Sequence, residues 1–381
     1  MKIKRYAKKA VTMSGDIILN RLFHVLPVKQ NKILFLSDVR AQLDGNLAFV
    51  RDALPPGYEV VTSLKGDRSE RLSFSQWIAR NKNLATSRAV FLDDFSDSTA
   101  FMHVREGQDL IQLWHGSGAF KKFGYGRAEE TGDLKHVHPG YKRYTKAIVS
   151  SEEIRPIYAR AYGISEDKVY ATGVPRTDAF FDEGYRRKKI QGFYEQYPML
   201  REKKIIIFAP TYRGDRVEEA GYAFDKLDLA QMYDSLGDEY AIIFKWHPAL
   251  YQRMKREHIG LCDLTKYSDF AYDMSEYREV NDLLFVADVL VTDYSSVIFD
   301  YALLNKPIVY YTYDLENYAE GRGLYFPFQS YVYGAVANNL EELIDAIKTA
   351  DVFQGERETF IKRFASANTG EASKRVVELI S

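Results

Sequence analysis

Short apolar runs and amphipathic stretches alternate along nearly the whole chain. Apolar, often β-branched runs stand at 32–37, 58–63, 89–94, 110–113, 146–151 and 168–172. Helical spacing of apolar positions fills 46–54, 72–82 and 154–162 between them. A second series has strands at 204–208, 240–244, 289–291 and 307–311. Its helices are at 227–236, 280–285 and 338–348, with one or two closing helices over 355–381. Strands that alternate with helices predict a parallel sheet covered on both faces.

The charged stretch 182–203 reads as a helix and connector between the two series. The pattern thus predicts an α/β protein of GT-B type, in which two Rossmann-like domains, 27–195 and 196–381, face each other across a cleft. Residues 1–26 read as a basic amphipathic helix. Lys2, Lys4, Arg5, Lys8 and Lys9 lie beside a broken apolar stripe that includes Ile17, Ile18, Leu22 and Val25, and Pro27 ends it. Such a helix suits a membrane surface; packing on the protein body is the plainer alternative.

Polar clusters recur where strands end, the edge at which open α/β sheets bind ligands. After 289–291 comes Thr292-Asp293-Tyr294-Ser295-Ser296, followed by Val297, Ile298, Tyr301 and Leu304 at helical spacing. Serine before a helix is a good N-cap, and the free N–H groups there favour an anion. Thr211 and Arg213 follow 204–208, and Lys245 and His247 follow 240–244. Cations and hydroxyls at three strand ends suit a phosphate-bearing donor, because a buried diphosphate needs both charge and hydrogen-bond donors. In the first half, 110–113 runs into Trp114-His115-Gly116, with Lys121 and Lys122 beyond. Histidine, with an unperturbed pKa of roughly 6.5, can take a proton from an acceptor hydroxyl. Asp93-Asp94 reads as a solvated strand end or helix cap, and His136 with His138 is a weak metal pair for want of a third ligand. No cofactor and no metal-binding residue is singled out, no carboxylate cluster here demands a metal, and whether the reaction depends on one is left open.

Composition narrows the classes. The 381 residues are 46% hydrophobic, enough for two cores. The net charge of −1 gives no field that favours nucleic acid. Cys262 is the only cysteine, which rules out an internal disulfide. No run reaches the roughly 20 apolar residues of a membrane span, and the N-terminus does not resemble a secretory signal.

Taken in order, Leu-Trp-His-Gly at 113–116 with Lys121-Lys122, Gly-Val-Pro-Arg-Thr-Asp at 173–178, Ala-Pro-Thr-Tyr-Arg at 209–213, Trp-His-Pro at 246–248 and the run at 288–301 resemble the CDP-glycerol glycerophosphotransferase family, the teichoic acid primases and polymerases. The segments 313–318 and 322–326 resemble it too. The resemblance implies transfer of glycerol phosphate from CDP-glycerol, with release of CMP, to a hydroxyl of an undecaprenyl-diphosphate-linked saccharide. The enzyme would sit peripherally at the cytoplasmic face of the membrane. It implies that His115 is the base and that His247 assists at the donor phosphates. Thr211, Arg213, Asp293, Ser295, Ser296 and Asp300 fall on the donor side, and Gly116, Lys121 and Lys122 on the acceptor side. Arg176 is expected to hold the domain junction. The chain's length is nearer the primases than the longer polymerases. Glycine-serine-glycine after His115 departs from the family's usual threonine-proline. The alternatives are CDP-ribitol as donor, a polymerase, a nucleotide-sugar GT-B enzyme, or a non-catalytic membrane-attached scaffold.

Overall fold

The computed structural model describes residues 14–100, 102–214, 219–261 and 263–380. Two compact units account for them. Unit 1 holds the described residues up to Gly116, then Phe123–Asp178 and the last stretch from Ser366; unit 2 holds Ser117–Lys122 and Ala179–Ala365.

Unit 1 is built on a six-stranded parallel sheet. Its strands are β1 (Lys29–Ser37), β2 (Glu59–Leu64), β3 (Ser87–Leu92), β4 (Asp109–Gln112), β5 (Lys146–Ile148) and β6 (Val169–Tyr170), in the order β2-β1-β3-β4-β5-β6. Ile33, Phe35, Ala89, Phe91 and Ile111 form one face of its core with Leu47 and Val50 of the helix Gly45–Ala53. The helix Phe74–Thr86 starts at a capping box of Ser73 and Gln76.

Unit 2 repeats the design with β7 (Lys204–Phe208), β8 (Tyr240–Phe244), β9 (Ala271–Asp273), β10 (Val289–Thr292), β11 (Ile308–Tyr311) and β12 (Ala335–Ala337), in the order β12-β11-β10-β7-β8-β9. The central strands β7, β8, β10 and β11 are buried on both faces apart from Lys204, which is why they read as continuous apolar runs. In each sheet the strand order reverses once, between β1 and β3 in unit 1 and between β7 and β10 in unit 2. The loops leaving those strands are where such sheets bind ligands.

Three features differ from the sequence reading. The units change at Asp178/Ala179, not at 195/196, so the helix Glu183–Gln196 belongs to unit 2. The final helix, Ala372–Val377, returns to unit 1, where Val376 packs with Ile33 and Phe35. At the N-terminus, residues 14–23 are helical, and the lysines and arginine of 2–9 lie outside the described residues. The two buried residues of this helix are polar. Asp16, buried, accepts hydrogen bonds from Trp77 Nε1 (2.5 Å) and Asn81 Nδ2 (2.9 Å), and buried Asn20 accepts from the His103 N–H. Ile18, Leu22 and Val25 point outward, 58%, 60% and 85% exposed.

Candidate active site

In unit 1 the chain leaves β4 through a strained turn. Trp114 has φ +57°, a left-handed conformation that a bulky residue adopts only when its surroundings impose it. Its N–H donates to Gln112 Oε1 (2.8 Å), and its carbonyl accepts from Asn46 Nδ2 (2.8 Å). Asn46 Oδ1 accepts the Arg176 N–H (3.0 Å), and the Arg176 guanidinium donates to the His115 carbonyl. Arg176 therefore braces the histidine turn within unit 1. The Trp114 ring lies against His115 (4.2 Å between centroids) and stacks on Phe123 (4.9 Å).

This turn presents His115 half exposed, with Nδ1 3.6 Å from Asp94 Oδ2. Asp94 is itself held by Arg68 (2.6 Å), whose guanidinium lies 3.7 Å over the Phe95 ring. Asp93 is buried and pairs with Arg40 Nε (2.8 Å). Burial pushes its carboxyl up to about 6, against the pull of Arg40. Burial also lowers the His115 pKa; Asp94 opposes this, and Arg176, Arg68 and Arg40 add to it. A lowered pKa keeps the imidazole neutral, and so able to accept a proton, at neutral pH. Arg40, Asp93 with Asp94, and His115 follow β1, β3 and β4, whereas Arg68 follows β2 and Arg176 follows β6.

In unit 2, Asp293 ties together the loops leaving β7 and β10. Its Oδ1 accepts the N–H groups of Thr211 (2.8 Å) and Tyr294 (2.6 Å), and its Oδ2 accepts Arg213 Nη1 (2.7 Å). Arg213 grips Asp314 with two parallel bonds, Nε at 2.6 Å and Nη2 at 2.8 Å, and also donates to the Thr211 carbonyl. Tyr222, Tyr294, Tyr313 and Tyr318 surround it at 5.1–5.5 Å. Burial works against its charge, but Asp293 and Asp314 prevail and hold its pKa above the ordinary value. Placed so, Arg213 and Asp293 shape the site. Lys121 Nζ donates to Thr211 Oγ1 (3.2 Å), 5.5 Å from the Tyr318 ring centroid.

The segment Ser117–Lys122 is fastened to unit 2. Ser117 donates to buried Asp300, and the Lys122 N–H donates to the Gly323 carbonyl (3.1 Å). Gly118, at φ +65°, lies so close to Phe299 that a Cβ would sit 2.4 Å from its ring. Lys121 and Lys122 thus group with the donor-side residues of the sequence reading, while Gly116 stays with His115 in unit 1.

Ser295 is half buried and Ser296 exposed, just ahead of the helix Val297–Tyr301. That helix has only five residues, and Ser296 makes no side-chain cap; Ser295 Oγ accepts the Val297 N–H at 3.4 Å. The hydroxyls, more than a helix dipole, are what this turn offers an anion. His247 opens the helix Pro248–Glu257, and its Nδ1 accepts the Ala249 N–H (3.2 Å). The neutral ring therefore carries its proton on Nε2. Tyr212 packs against it at 4.8 Å. Lys245 is turned away, donating to the Ser275 carbonyl (2.8 Å).

The sequence profile of the family described as CDP-Glycerol:Poly(glycerophosphate) glycerophosphotransferase matches residues 18–381. The chain belongs to this family. A teichoic acid poly(ribitol-phosphate) polymerase of Bacillus spizizenii is 40% identical over 362 residues, 94% of this chain but 57% of the polymerase. The chain therefore spans less than two thirds of that relative. A teichoic acid glycerol-phosphate primase of Bacillus subtilis is 32% identical over 298 residues, 77% of this chain and 73% of the primase. Among solved structures, the wall teichoic acid polymerase TagF, in a variant soaked with CDPG, matches with a TM-score of 0.78 and 23% identity, covering 100% of this chain and 98% of that one. That last likeness is one of fold.

In this glycerophosphotransferase family member the structure adds Asp94, Arg68, Asn46 and Asp314 to the residues that the sequence motifs single out. In the sequence Asp94 reads only as a strand end. Asp314 lies in the segment 313–318, and its carboxylate there is the signal that points to a partner for Arg213. His138 has both ring nitrogens engaged, Nδ1 by the Gly140 N–H (3.1 Å) and Nε2 by Asp97 (3.0 Å), so its role is structural. Among the described residues no group of three His, Cys, Asp or Glu is placed to hold a metal ion, and no helix is long and apolar enough to cross a membrane.

Proposed function

We propose that this chain, on a GT-B-type scaffold, transfers an alditol phosphate from a CDP-alditol to a hydroxyl of a lipid-linked saccharide in teichoic acid synthesis and releases CMP. The observation that carries the reading is the presentation of His115: a turn strained at Trp114 and braced by Asn46 and Arg176, with Asp94 facing Nδ1. A proton held on Nδ1 toward the carboxylate leaves the Nε2 lone pair as the base.

In this mechanism His115 Nε2 takes the acceptor's hydroxyl proton as the oxygen attacks the β-phosphorus. The bond from that phosphorus to the oxygen it shares with the CMP phosphate breaks, and CMP leaves with the electron pair. His247 Nε2–H, the Ser295 and Ser296 hydroxyls and the Lys121 ammonium serve the donor phosphates. Positioning and charge stabilisation supply most of the rate in such transfers. Arg213, Asp293 and Asp314 hold the donor loops in shape.

Glycerol phosphate added as a first unit is the reading that follows the resemblance to the glycerophosphotransferase family. A second reading, ribitol phosphate, is favoured by the greater identity to the poly(ribitol-phosphate) polymerase, 40% against 32% for the glycerol-phosphate primase. Peripheral attachment at the cytoplasmic membrane face is supported by the outward-facing Ile18, Leu22 and Val25.

The test offers the purified chain CDP-glycerol or CDP-ribitol with a short-chain lipid-linked disaccharide, and records CMP and product mass. One added unit is expected of a primase, a ladder of a polymerase, and the donor consumed names the alditol. In His115→Ala, transfer should fall on the order of 10²–10⁴-fold while the calorimetric affinity for the donor holds. Transfer at the wild-type rate would remove His115 from the chemistry.

A further inference from the structure

The guanidinium of Arg68 stands beside His115 in unit 1. Both touch the same atom: Arg68 Nη2 lies 2.6 Å from Asp94 Oδ2, and His115 Nδ1 lies 3.6 Å from it. Guanidinium and imidazole thus flank a single oxygen. The other oxygen, Oδ1, accepts the Phe95 N–H (2.7 Å). The guanidinium carbon lies 3.7 Å over the Phe95 ring, and the Arg68 side chain is 44% exposed. A guanidinium carries five N–H donors. Among the described residues no second carboxylate pairs with this one, so its exposed edge offers donors next to the base.

The loop that carries Arg68 is fastened so as to hold it there. It leaves β2 at Leu64 and leads to the helix Phe74–Thr86. Lys65 Nζ donates to the Arg68 carbonyl (3.2 Å) and pairs with buried Asp38 (3.5 Å). The loop's acidic side chains are engaged by its own backbone: Asp67 Oδ1 accepts the Ser69 N–H (2.6 Å), and Glu70 Oε2 accepts the Gly66 N–H (2.7 Å). Of the other guanidinium groups near the base, Arg40 meets two carboxylates, Asp44 and Asp93, and is only 20% exposed, and Arg176 donates to the His115 carbonyl. A planar cation stacked on a ring, with one edge on a carboxylate and another toward solvent, suits a phosphate, which it can bind through two parallel N–H groups.

The geometry points to Arg68 as the residue that binds a phosphate of the acceptor, that of an alditol phosphate unit already attached, while His115 takes the proton from the same unit's free hydroxyl. The inference rests on the alditol phosphate transfer proposed above, and it adds the residue by which the chain would prefer an acceptor that has been primed. In an alditol phosphate unit one short carbon chain separates the phosphate from the terminal hydroxyl, a spacing that suits a guanidinium and an imidazole flanking one oxygen. In a bare lipid-linked disaccharide the sugar rings separate the diphosphate from the accepting hydroxyl, which puts its phosphates beyond this pair.

The test gives the full chain two acceptors, a short-chain lipid-linked disaccharide that is bare or carries one alditol phosphate. In Arg68→Gln the KM for the primed acceptor should rise about tenfold, while the KM for the bare one stays within twofold. Loss of Arg68 also changes the field at His115, but that acts on kcat with both acceptors alike, so the difference between their KM values reads the phosphate contact. Arg68→Lys keeps the charge and loses the planar fork, and a smaller rise for the primed acceptor is expected. An unchanged KM for the primed acceptor in both variants, or an equal rise for the two acceptors, overturns the assignment. If the wild type releases no CMP with either acceptor, the transfer reading fails, and Arg68 is judged by calorimetry with a soluble alditol phosphate oligomer and with the free alditol. Binding of the oligomer alone, lost in Arg68→Gln, upholds the phosphate contact. No binding, or equal binding in wild type and variant, overturns it.

Discussion

Replacing Asp94 by Asn keeps the shape of the side chain and removes its charge from a point 3.6 Å from His115 Nδ1. At that distance a full charge pair is worth about 1 kcal/mol in water and about 5 kcal/mol at an effective dielectric of 20. His115 is half exposed, so the lower end applies, about 1–2 kcal/mol, or about one pKa unit. The sign follows from the charges around the ring. Asp94 raises the His115 pKa, whereas Arg176, Arg68 and Arg40 lower it. Removing Asp94 leaves the cations unopposed and also frees Arg68 of its carboxylate partner. The histidine pKa must fall. A base works in its deprotonated form, so the acid limb of the kcat/KM profile should move about one unit toward lower pH. The plateau should drop about tenfold, from a weaker base and from loss of the group that orients Nδ1–H. The assay is CMP release against pH at saturating donor, with donor affinity measured separately by calorimetry. A limb that stays in place with an undiminished plateau would show that Asp94 merely ends β3. A limb that moves upward would show that the electrostatic argument has the wrong sign.

The double variant Ser295→Ala with Ser296→Ala removes two hydroxyls from the turn after β10. Its affinity for a CDP-alditol should fall about tenfold, at roughly 0.5–1.5 kcal/mol per hydrogen bond, and equal calorimetric affinity would exclude both serines from the donor site. Asp93 titrates at about 6 in the folded chain against an ordinary value of 3.8. Its raised pKa contributes stability that is whole below pH 3.8 and lost as pH rises through 6, about 3 kcal/mol in all. Asp93→Asn should therefore gain stability relative to wild type between about pH 4 and pH 8 in urea unfolding, and a pH-independent difference would contradict the assignment. Ile18→Ser with Leu22→Ser and Val25→Ser changes only outward-facing positions. Liposome co-sedimentation should fall several-fold with the melting temperature unchanged, and full retention would remove this face from membrane binding.

Much of this architecture can be read from the pattern of residues, and the gaps have physical causes. β7 and β8 coincide with apolar runs because both their faces are covered. β9 and β12 escape notice because three residues, Ala271–Asp273 and Ala335–Ala337, carry no periodicity. The helix Pro248–Glu257 is hidden by the proline that opens it, which reads in the sequence only as fixing the chain after His247; proline at the first helical position starts a helix as readily as it ends one. The return of Ala372–Val377 to unit 1 is a tertiary choice, made by the fit of Val376 against Ile33 and Phe35. The same holds for Arg213. Its residue type and place at a strand end suggest a phosphate ligand, yet its partners Asp293 and Asp314 lie 80 and 101 residues away, beyond any local signal.

The two histidines show what the sequence could and could not convey. Their positions after β4 and β8 mark both as candidates for chemistry, but residue type alone does not divide the work between them. The division lies in what each ring's Nδ1 meets. At His115 it faces a carboxylate 3.6 Å away, which favours the proton on Nδ1 and the lone pair on Nε2. At His247 it accepts a backbone N–H, so Nδ1 is bare and Nε2 presents the proton. In the proposed transfer the first ring would take a proton and the second would give a hydrogen bond to the donor. Asn at 94 would remove the carboxylate that sets the first tautomer, while nothing comparable changes at His247, whose partner is the backbone of its own helix. The Asp94→Asn variant should therefore slow proton transfer about tenfold and keep donor binding, and that separation is the measurable form of the assignment.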